Sequence, residues 1–535
     1  MTVPAILDGG TGPVPEEAEL RRTLLRLDEP VRVVRHGDRL GVLAGRASEP
    51  DRLGAAVVAE APPAPPETLG DPGFRRRYGV ARCYAAGAMA NGIAAEELVL
   101  ALGRDGALAS FGAAGLLPDR IEAAIGRITA ALPHGPYAFN LIHSPSEEAL
   151  ERRAVELYLA HGIRTVEAAA FLTLTPHVVR YRVAGLSADP SGAVRIGNRV
   201  IAKVSRREVA HRFLSPPPPE LVAALRAQGL VTAEQAALAA RVPMADDITV
   251  EADSAGHTDN RPLVALLPSI VELRDELQTR HHFAEPVGIG AAGGIGTPHA
   301  TLAAFVLGAG YVVTGSVNQS CREAAASAHT KRLLAEVDLA DVAMAPAADM
   351  FELGVRLQVV KRGTMFPVRA QRLYTLYRAY DGLEHLPAEE RAKLERQVFR
   401  QSLDEVWRGT RAYFAERDPA QVMRAEQDPK RRMALVFRWY LGCSSRWSNV
   451  GEPGREADYQ IWCGPAMGAF NDWVRGCYLA DPANRRVADV ARHLMTGAAY
   501  LRRVAHLEAL GVTLPAALRR YRPHPDPPEP RTVPC

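Results

Sequence analysis

The stretch PVGIGAAGGIGTPHATLAAFVLGAGYVVTGS, residues 286–316, carries two glycine-rich strand ends, AAGGIGTP at 291–298 and TGS at 314–316, one helix length apart. The first follows the apolar run from Pro286 to Ile289 and leads into a helix start at Thr297-Pro298. Backbone N–H groups around Gly293 and Gly294 can therefore point at an anion. The second ends the apolar run Tyr311-Val312-Val313 and can donate from the other side. In (β/α)8 barrels a phosphate often sits between the loops after the last two strands, and consecutive strand-Gly-helix-strand-Gly units produce that arrangement.

Gly288-Ile289-Gly290-Ala291-Ala292-Gly293 also matches G-x-G-x-x-G, the dinucleotide fingerprint. That motif requires an acidic residue about 20 residues further on to hold a ribose. The region in question reads Val312-Val313-Thr314-Gly315, and the next acid after Glu285 is Glu323. The match also lies near the end of a βα series, whereas the fingerprint opens one.

Working back from this stretch, strands alternate with helical segments from about Gly79 onward, the pattern of a parallel α/β fold. Strand cores are predicted near Val80–Ala88, Leu108–Ala113, Tyr137–Ile142, Thr165–Ala169, Val200–Val204, Ile248–Ala252, Pro286–Gly290 and Tyr311–Thr314. Eight βα units in about 240 residues match a closed barrel. Residues 178–200 read as an inserted hairpin turning at Asp189-Pro190-Ser191-Gly192, and Pro216–Pro219 breaks the helix after the fifth strand. Residues 31–45 read as a small hairpin around Gly37-Asp38, followed by a proline-rich break at 62–72. Beyond residue 319 the strands are expected to stop and helices to run to about residue 520, with all five tryptophans, from Trp407 to Trp473, in that part. The expected organisation is an N-terminal β region and linker over 1–70, a (β/α)8 barrel over 71–330, a helical subdomain over 331–520 and a disordered proline-rich tail over 521–535.

Composition excludes several classes. The 535 residues are 47% hydrophobic, enough for a sizeable core, and the formal net charge of +3 gives no reason to expect a nucleic-acid partner. No uninterrupted apolar run is long enough to span a membrane, and MTVPAILDGGTGPVPEEAE lacks the basic-then-apolar order of a leader, so a cytoplasmic location is expected. The six cysteines show no C-x-x-C pair, which argues against a zinc site and fits reduced thiols.

If the barrel is right, chemistry concentrates at the C-terminal strand ends. After the first strand, the small residues Ala86-Gly87-Ala88 would let a flat ring lie against the backbone; a tight turn explains them equally. Asn140 in the third strand needs amide partners, either a heterocycle or the backbone. Lys203 in the fifth strand would be costly to bury unpaired. Its charge can face an anionic ligand ring or lie beside a carboxylate at the rim. In EADSAGHTD, residues 251–259, Gly256 allows a sharp turn that projects His257 over the mouth, where an imidazole can exchange a proton; a structural histidine is the other reading. Residues 353–380 hold six basic residues (Arg356, Lys361, Arg362, Arg369, Arg372, Arg378) and no acid, either a solvated helix face or a patch that steers an acidic partner.

The ordered set AGAMANG, AFNLIHSP, IAKVS, EADSAGHTDN, GIGAAGGIGTPHATLAAFVLGAGYVVTGSVNQ and VKRGTMFPVRAQRLYTLYRAY resembles the PfaD family of trans-acting enoyl reductases. These serve polyunsaturated fatty acid synthases and trans-acyltransferase polyketide synthases. The resemblance covers roughly residues 30–515, and the barrel part is also similar to nitronate monooxygenases. It implies FMN, with its phosphate between Ala292-Gly293-Gly294 and Gly315-Ser316, its ring over Ala86-Gly87-Ala88, and Asn140 and Lys203 at the polar edge. It further implies NADPH as reductant, a 2-enoyl thioester on an acyl carrier protein as substrate, and His257 as a catalytic residue beside Lys203. Other proteins of the synthase are expected partners. Ala255 stands where related flavin barrels more often carry glycine. Three rivals share the cradle: a nitronate monooxygenase, a docking subunit without turnover, and a phosphosugar enzyme that needs no flavin.

Overall fold

Eight parallel strands close into a barrel: β1 (Tyr84–Ala86), β2 (Leu108–Phe111), β3 (Ala138–Ile142), β4 (Thr165–Ala169), β5 (Arg199–Val204), β6 (Asp247–Glu251), β7 (Gly288–Ala292) and β8 (Tyr311–Thr314), with β8 pairing back onto β1. The computed structural model describes residues 17–36, 39–45, 56–145 and 148–525. All eight expected strands are present. The seventh lies two residues later than its apolar run suggested, because Ala291 and Ala292 still pair with Val250 and Glu251 of β6. Gly288 and Gly290 therefore belong to a strand and form no dinucleotide turn. A Cβ at Gly290 would enter the Tyr311 ring, which fills the barrel interior.

The N-terminal end of the barrel is stoppered. Asp71 caps the helix Pro72–Tyr78 by accepting from Gly73 N at 2.7 Å and Phe74 N at 3.2 Å, and Gly79 ends it in the left-handed region. This short helix brings Phe74 onto Tyr311, ring centroids 4.1 Å apart, and sets Arg77 Nη1 2.8 Å and Tyr78 Oη 2.5 Å from the buried Asp247 carboxylate. Burial, outweighing Arg77 and the Tyr78 hydrogen bond, pushes Asp247 up to about 7. With this end filled, only the C-terminal mouth can admit a ligand.

The rest of the chain differs from the sequence expectation in three places. Residues 178–184 belong to the helix Pro176–Ala184, so the inserted hairpin is only Leu186–Ala188 with Val194–Ile196, turning at Asp189–Gly192 as expected. Beyond residue 319 the strands do not stop. Val342–Pro346 and Arg356–Val360 form an antiparallel pair, and Val359 bridges to Trp462. Short strands of this kind are held by tertiary partners, so the helical periodicity around them hides them. The basic run over 353–380 is consequently not one helix face: Arg356 lies on a strand and only Phe366–Ala379 is helical.

The N-terminal region pairs Val31–His36 with Arg39–Ala44 and with Ala56–Ala61. The expected turn residues Gly37 and Asp38 lie outside the described residues. This sheet packs through Val31, Val33 and Ala61 on Tyr500, Val504 and Leu507 of the last long helix, Val487–Ala509, so the two ends of the chain share a core. Tyr521 is buried there too, its hydroxyl 2.7 Å from His493 Nδ1, while residues 526–535 lie outside the described part. Among the described residues no helix is long and apolar enough to cross a membrane. The five described cysteines are free.

Candidate active site

The β7–β8 register sets Ala291 and Ala292 beside Val312 and Val313, so Gly293 and Gly315 leave the barrel next to each other. Gly293 (φ +88°) and Gly294 (φ +73°) are both left-handed. A Cβ on Gly293 would lie 2.8 Å from the Ala252 carbonyl carbon, whereas Gly294 and Gly315 face open space. Among the described residues the N–H groups of Gly293, Gly294, Gly315 and Ser316 have no acceptor. Unmatched donors at a cavity wall call for an acceptor from a ligand. The helix Pro298–Val306 supplies less than expected, since Thr297 caps it internally by accepting from Ala300 N at 3.2 Å. The donors belong to the glycine turns. Gly464, from the C-terminal region, donates its N–H to Ser316 Oγ at 3.0 Å and closes the outer side of the cradle.

Lys203 on β5 reaches between two carboxylates, 3.3 Å from Glu251 Oε1 on β6 and 3.7 Å from Glu167 Oε1 on β4. Glu167 also accepts from Ala88 N at 3.1 Å and Ser110 Oγ at 2.7 Å, and Glu251 from Ser254 Oγ at 2.9 Å. Burial pulls the Lys203 pKa down, but Glu251 and Glu167 together outweigh it and hold the lysine above its ordinary value. The lysine thus stands beside carboxylates, as one of its two sequence readings had it. One cation between two carboxylates leaves the cluster one negative charge in excess. Asn140 Nδ2 donates to the Glu167 carbonyl at 3.2 Å, so its amide has a backbone partner as well as a face on the cavity.

His257 lies with Nε2 2.9 Å from Asp349 Oδ2. Asp349 comes from the loop between the strands Val342–Pro346 and Arg356–Val360, outside the barrel. Burial lowers the imidazole pKa, but the Asp349 carboxylate more than offsets it and Glu251 adds to the rise, so His257 stays above its ordinary 6.5. Asp349 is correspondingly held low, its burial outweighed by His257. A Cβ at Gly256 would meet Glu251 Oε1, which Lys203 and Ser254 hold in place, so a side chain there would disturb the ion cluster.

A single cavity of about 860 Å³ joins these features, within the range of small-molecule sites. Its wall includes Gly87, Ala88, Asn140, Lys203, His257, Ala292, Gly293, Gly294, Gly315 and Ser316. Ala86 is not on it: the strand pleat turns its side chain outward into the core under the helices, while Ala85 faces the barrel interior. Glu167, Glu251 and Asp349 went unnoticed in the sequence. Glu167 and Glu251 each sit in an apolar strand, as Lys203 does, a signal available but unused; nothing local marks Asp349. The helical region adds Phe414, Leu435, Trp439 and Leu441 to the wall.

A closed barrel with an anion cradle at its last two strands and an acid-base pair over its mouth has the layout of a phosphate-binding barrel enzyme. The sequence profile described as nitronate monooxygenase matches residues 85–396, more than half of the chain, and the chain belongs to that family. A second profile, described as the inserted helical domain of [acyl-carrier-protein] S-malonyltransferase, matches residues 380–459. The chain is 46% identical over 504 residues to a polyunsaturated fatty acid synthase polypeptide of Thraustochytrium sp., covering 91% of this chain and 33% of that protein. It is 43% identical over 436 residues to polyketide biosynthesis protein PksE of Bacillus subtilis, covering 81% and 56%. It thus spans a third to just over half of these relatives. The crystal structure of the enoyl reductase domain of MlnA, from the macrolactin biosynthesis cluster of Bacillus amyloliquefaciens, superposes with a TM-score of 0.79 at 38% identity, covering 83% of this chain and all of that one. The protein is a flavin-fold enzyme related to the enoyl reductases of polyketide and polyunsaturated fatty acid synthase systems. Membership implies FMN, and the residues fit its phosphate: four N–H groups without acceptors, on glycine turns that leave space at Gly294 and Gly315.

Proposed function

We propose that this protein is an FMN-dependent enoyl reductase that takes electrons from NADPH and reduces the α,β-double bond of 2-enoyl thioesters borne on an acyl carrier protein, in the cytoplasm, alongside other proteins of a synthase. The observation that carries this reading is the one cavity that runs from the glycine cradle past His257 to the apolar wall of the helical region. Gly293, Gly294, Gly315 and Ser316 would hold the FMN phosphate, and the backbone at Gly87-Ala88 leaves room for a flat ring. Bound there, FMN would supply two-electron transfer between NADPH and the β-carbon of the substrate. His257, whose protonated form Asp349 favours, is placed to give a proton to the α-carbon or to the developing thioester enolate. Glu167 and Glu251 hold Lys203 at the polar edge, and Phe414, Leu435 and Trp439 exclude water from the acyl chain. Residues 331–520 act as the substrate and partner subdomain.

Anaerobic titration of the flavin-loaded protein tests this. Flavin absorption bands should bleach with NADPH and return with crotonyl thioester. The nitronate monooxygenase reading is favoured by the family profile itself. Rapid oxygen consumption with a nitroalkane and no NADPH requirement, together with no reoxidation by the enoyl thioester, would establish it instead.

A further inference from the structure

The cavity opens to solvent at a rim built from two parts of the chain. Leu117, just before the helix Pro118–Ala131, and Arg153 in the helix Glu148–Ala160 come from the barrel; Tyr413 in Leu403–Arg417 and Arg446 and Val450 in Pro429–Val450 come from the helical region. Leu117 is 55% exposed, Tyr413 51% and Val450 64%. Three large apolar side chains thus stand exposed on the wall of one opening, where an incoming molecule would meet them.

The exposed charged residues on the cavity wall are arginines. Arg153 and Arg446 are exposed, and neither has a hydrogen bond or ion pair among the described residues. The carboxylates on the cavity wall are withdrawn: Glu151, Glu167 and Glu251 are buried and Asp253 and Asp349 half-buried. The basic run over 353–380 differs. Arg362 pairs with Asp341 at 3.3 Å, Arg369 with Asp458 and Arg372 with Glu390, and Arg356 donates to Gln371. Three of those charges thus have carboxylate partners, while Arg356, Lys361 and Arg378 are exposed with no ion pair among the described residues, and none of the six lies on the cavity wall.

We infer that this rim, and not the 356–378 segment, is the docking face for an acidic helix of the carrier protein. The inference rests on the carrier-borne substrate of the preceding subsection. A thioester on a flexible arm enters only through the mouth, so the face that receives its carrier must surround that opening. Arg153 and Arg446 meet the acidic side chains, and Leu117, Tyr413 and Val450 take the apolar face of the same helix. Complementary rim charges act chiefly through encounter and salt dependence, which makes the proposal measurable without turnover.

The test measures binding of a fluorescently labelled, phosphopantetheinylated carrier domain by anisotropy, then steady-state reduction of carrier-borne and free crotonyl thioesters. The double variant Arg153→Glu/Arg446→Glu should weaken carrier binding at least tenfold in low salt, with the difference shrinking as salt rises. KM for the carrier-borne substrate should rise in parallel, while kinetics with the free thioester stay unchanged. A control, Lys361→Glu/Arg378→Glu, should leave binding as in wild type. Equal binding by wild type and rim variant, or loss only in the control, overturns the proposal. So does sedimentation showing that the rim joins two copies of this chain and that the rim variant separates them. A wild-type chain that reduces neither thioester would instead refute the enoyl reductase reading, a result distinguishable from failure of the docking face alone.

Discussion

Replacing Asp349 with asparagine isolates the charge that holds His257 in its donor form. The amide oxygen can still accept from Nε2 at the observed 2.9 Å, so the geometry survives and only the charge is lost. A hydrogen bond to a charged group is worth about 1.5–3 kcal/mol and a neutral one about 0.5–1.5. The two side chains are 20% and 29% exposed, so solvent screening puts the difference toward the low end, about 1 to 1.5 kcal/mol. That corresponds to roughly a tenfold weaker hold on the proton, at about 1.36 kcal/mol per pH unit. The sign follows from the raised imidazole: the wild-type donor persists above pH 6.5 and is lost as pH rises, and the variant should lose it at lower pH. Glu251 still favours the cation and Lys203 still opposes it, so the change should be partial. The direct assay is an NMR titration of the His257 ring in labelled protein, which needs no turnover. It is paired with the pH profile of flavin reoxidation by the enoyl thioester: slowed up to tenfold on the basic side, nearly unchanged on the acid side. An unshifted His257 titration, or a rate loss equal at every pH, would show that Asp349 does not set the proton donor.

Three other outcomes are expected. Gly293→Ala, at φ +88° and 2.8 Å from the Ala252 carbonyl carbon, should retain much less FMN through purification than Gly294→Ala; the latter shares the backbone strain, about 1–2 kcal/mol, but meets no atom within 4 Å. Equal retention would take Gly293 out of the cradle. Lys203→Met leaves Glu167 and Glu251 without their cation, so one carboxyl should take up a proton in the fold. With that pKa raised, melting temperature should fall as pH climbs above the carboxylate range, about 4.3, and a flat melting profile would argue against the ion triad. Arg77→Met strands the buried Asp247 at a cost of about 3–5 kcal/mol, felt more at pH 8 than at pH 5 because a protonated Asp247 tolerates burial. Unfolding curves at the two pH values check it, and equal losses would contradict the assigned cause.

The features legible in the amino-acid sequence are those that local backbone chemistry sets. Alternating apolar runs and helical segments announce βα units, and glycines at 293, 294 and 315 announce turns whose N–H groups stay free, so the barrel, its cradle and the turn at Gly256-His257 could be read in order along the chain. The strands at Val342–Pro346 and Arg356–Val360 escaped because they pair antiparallel with each other outside the βα series, where no alternation of strand and helix announces them. The basic run over 353–380 misled for a related reason: a charge counted along the chain says nothing about the carboxylate that folding brings to it, here Asp341, Asp458 and Glu390.

Only the tertiary structure decided what surrounds the cradle. Barrel closure brings Glu167, Lys203 and Glu251 from three strands into one ion cluster, and a hairpin 92 residues beyond His257 delivers Asp349 to it. Helices from both parts of the chain frame the mouth with Leu117, Arg153, Tyr413, Arg446 and Val450. Periodicity and turn preference act over a few residues and so are written in sequence order. Charge pairing, proton affinity and the shape of an opening depend on distances between distant segments, which the packed fold alone sets.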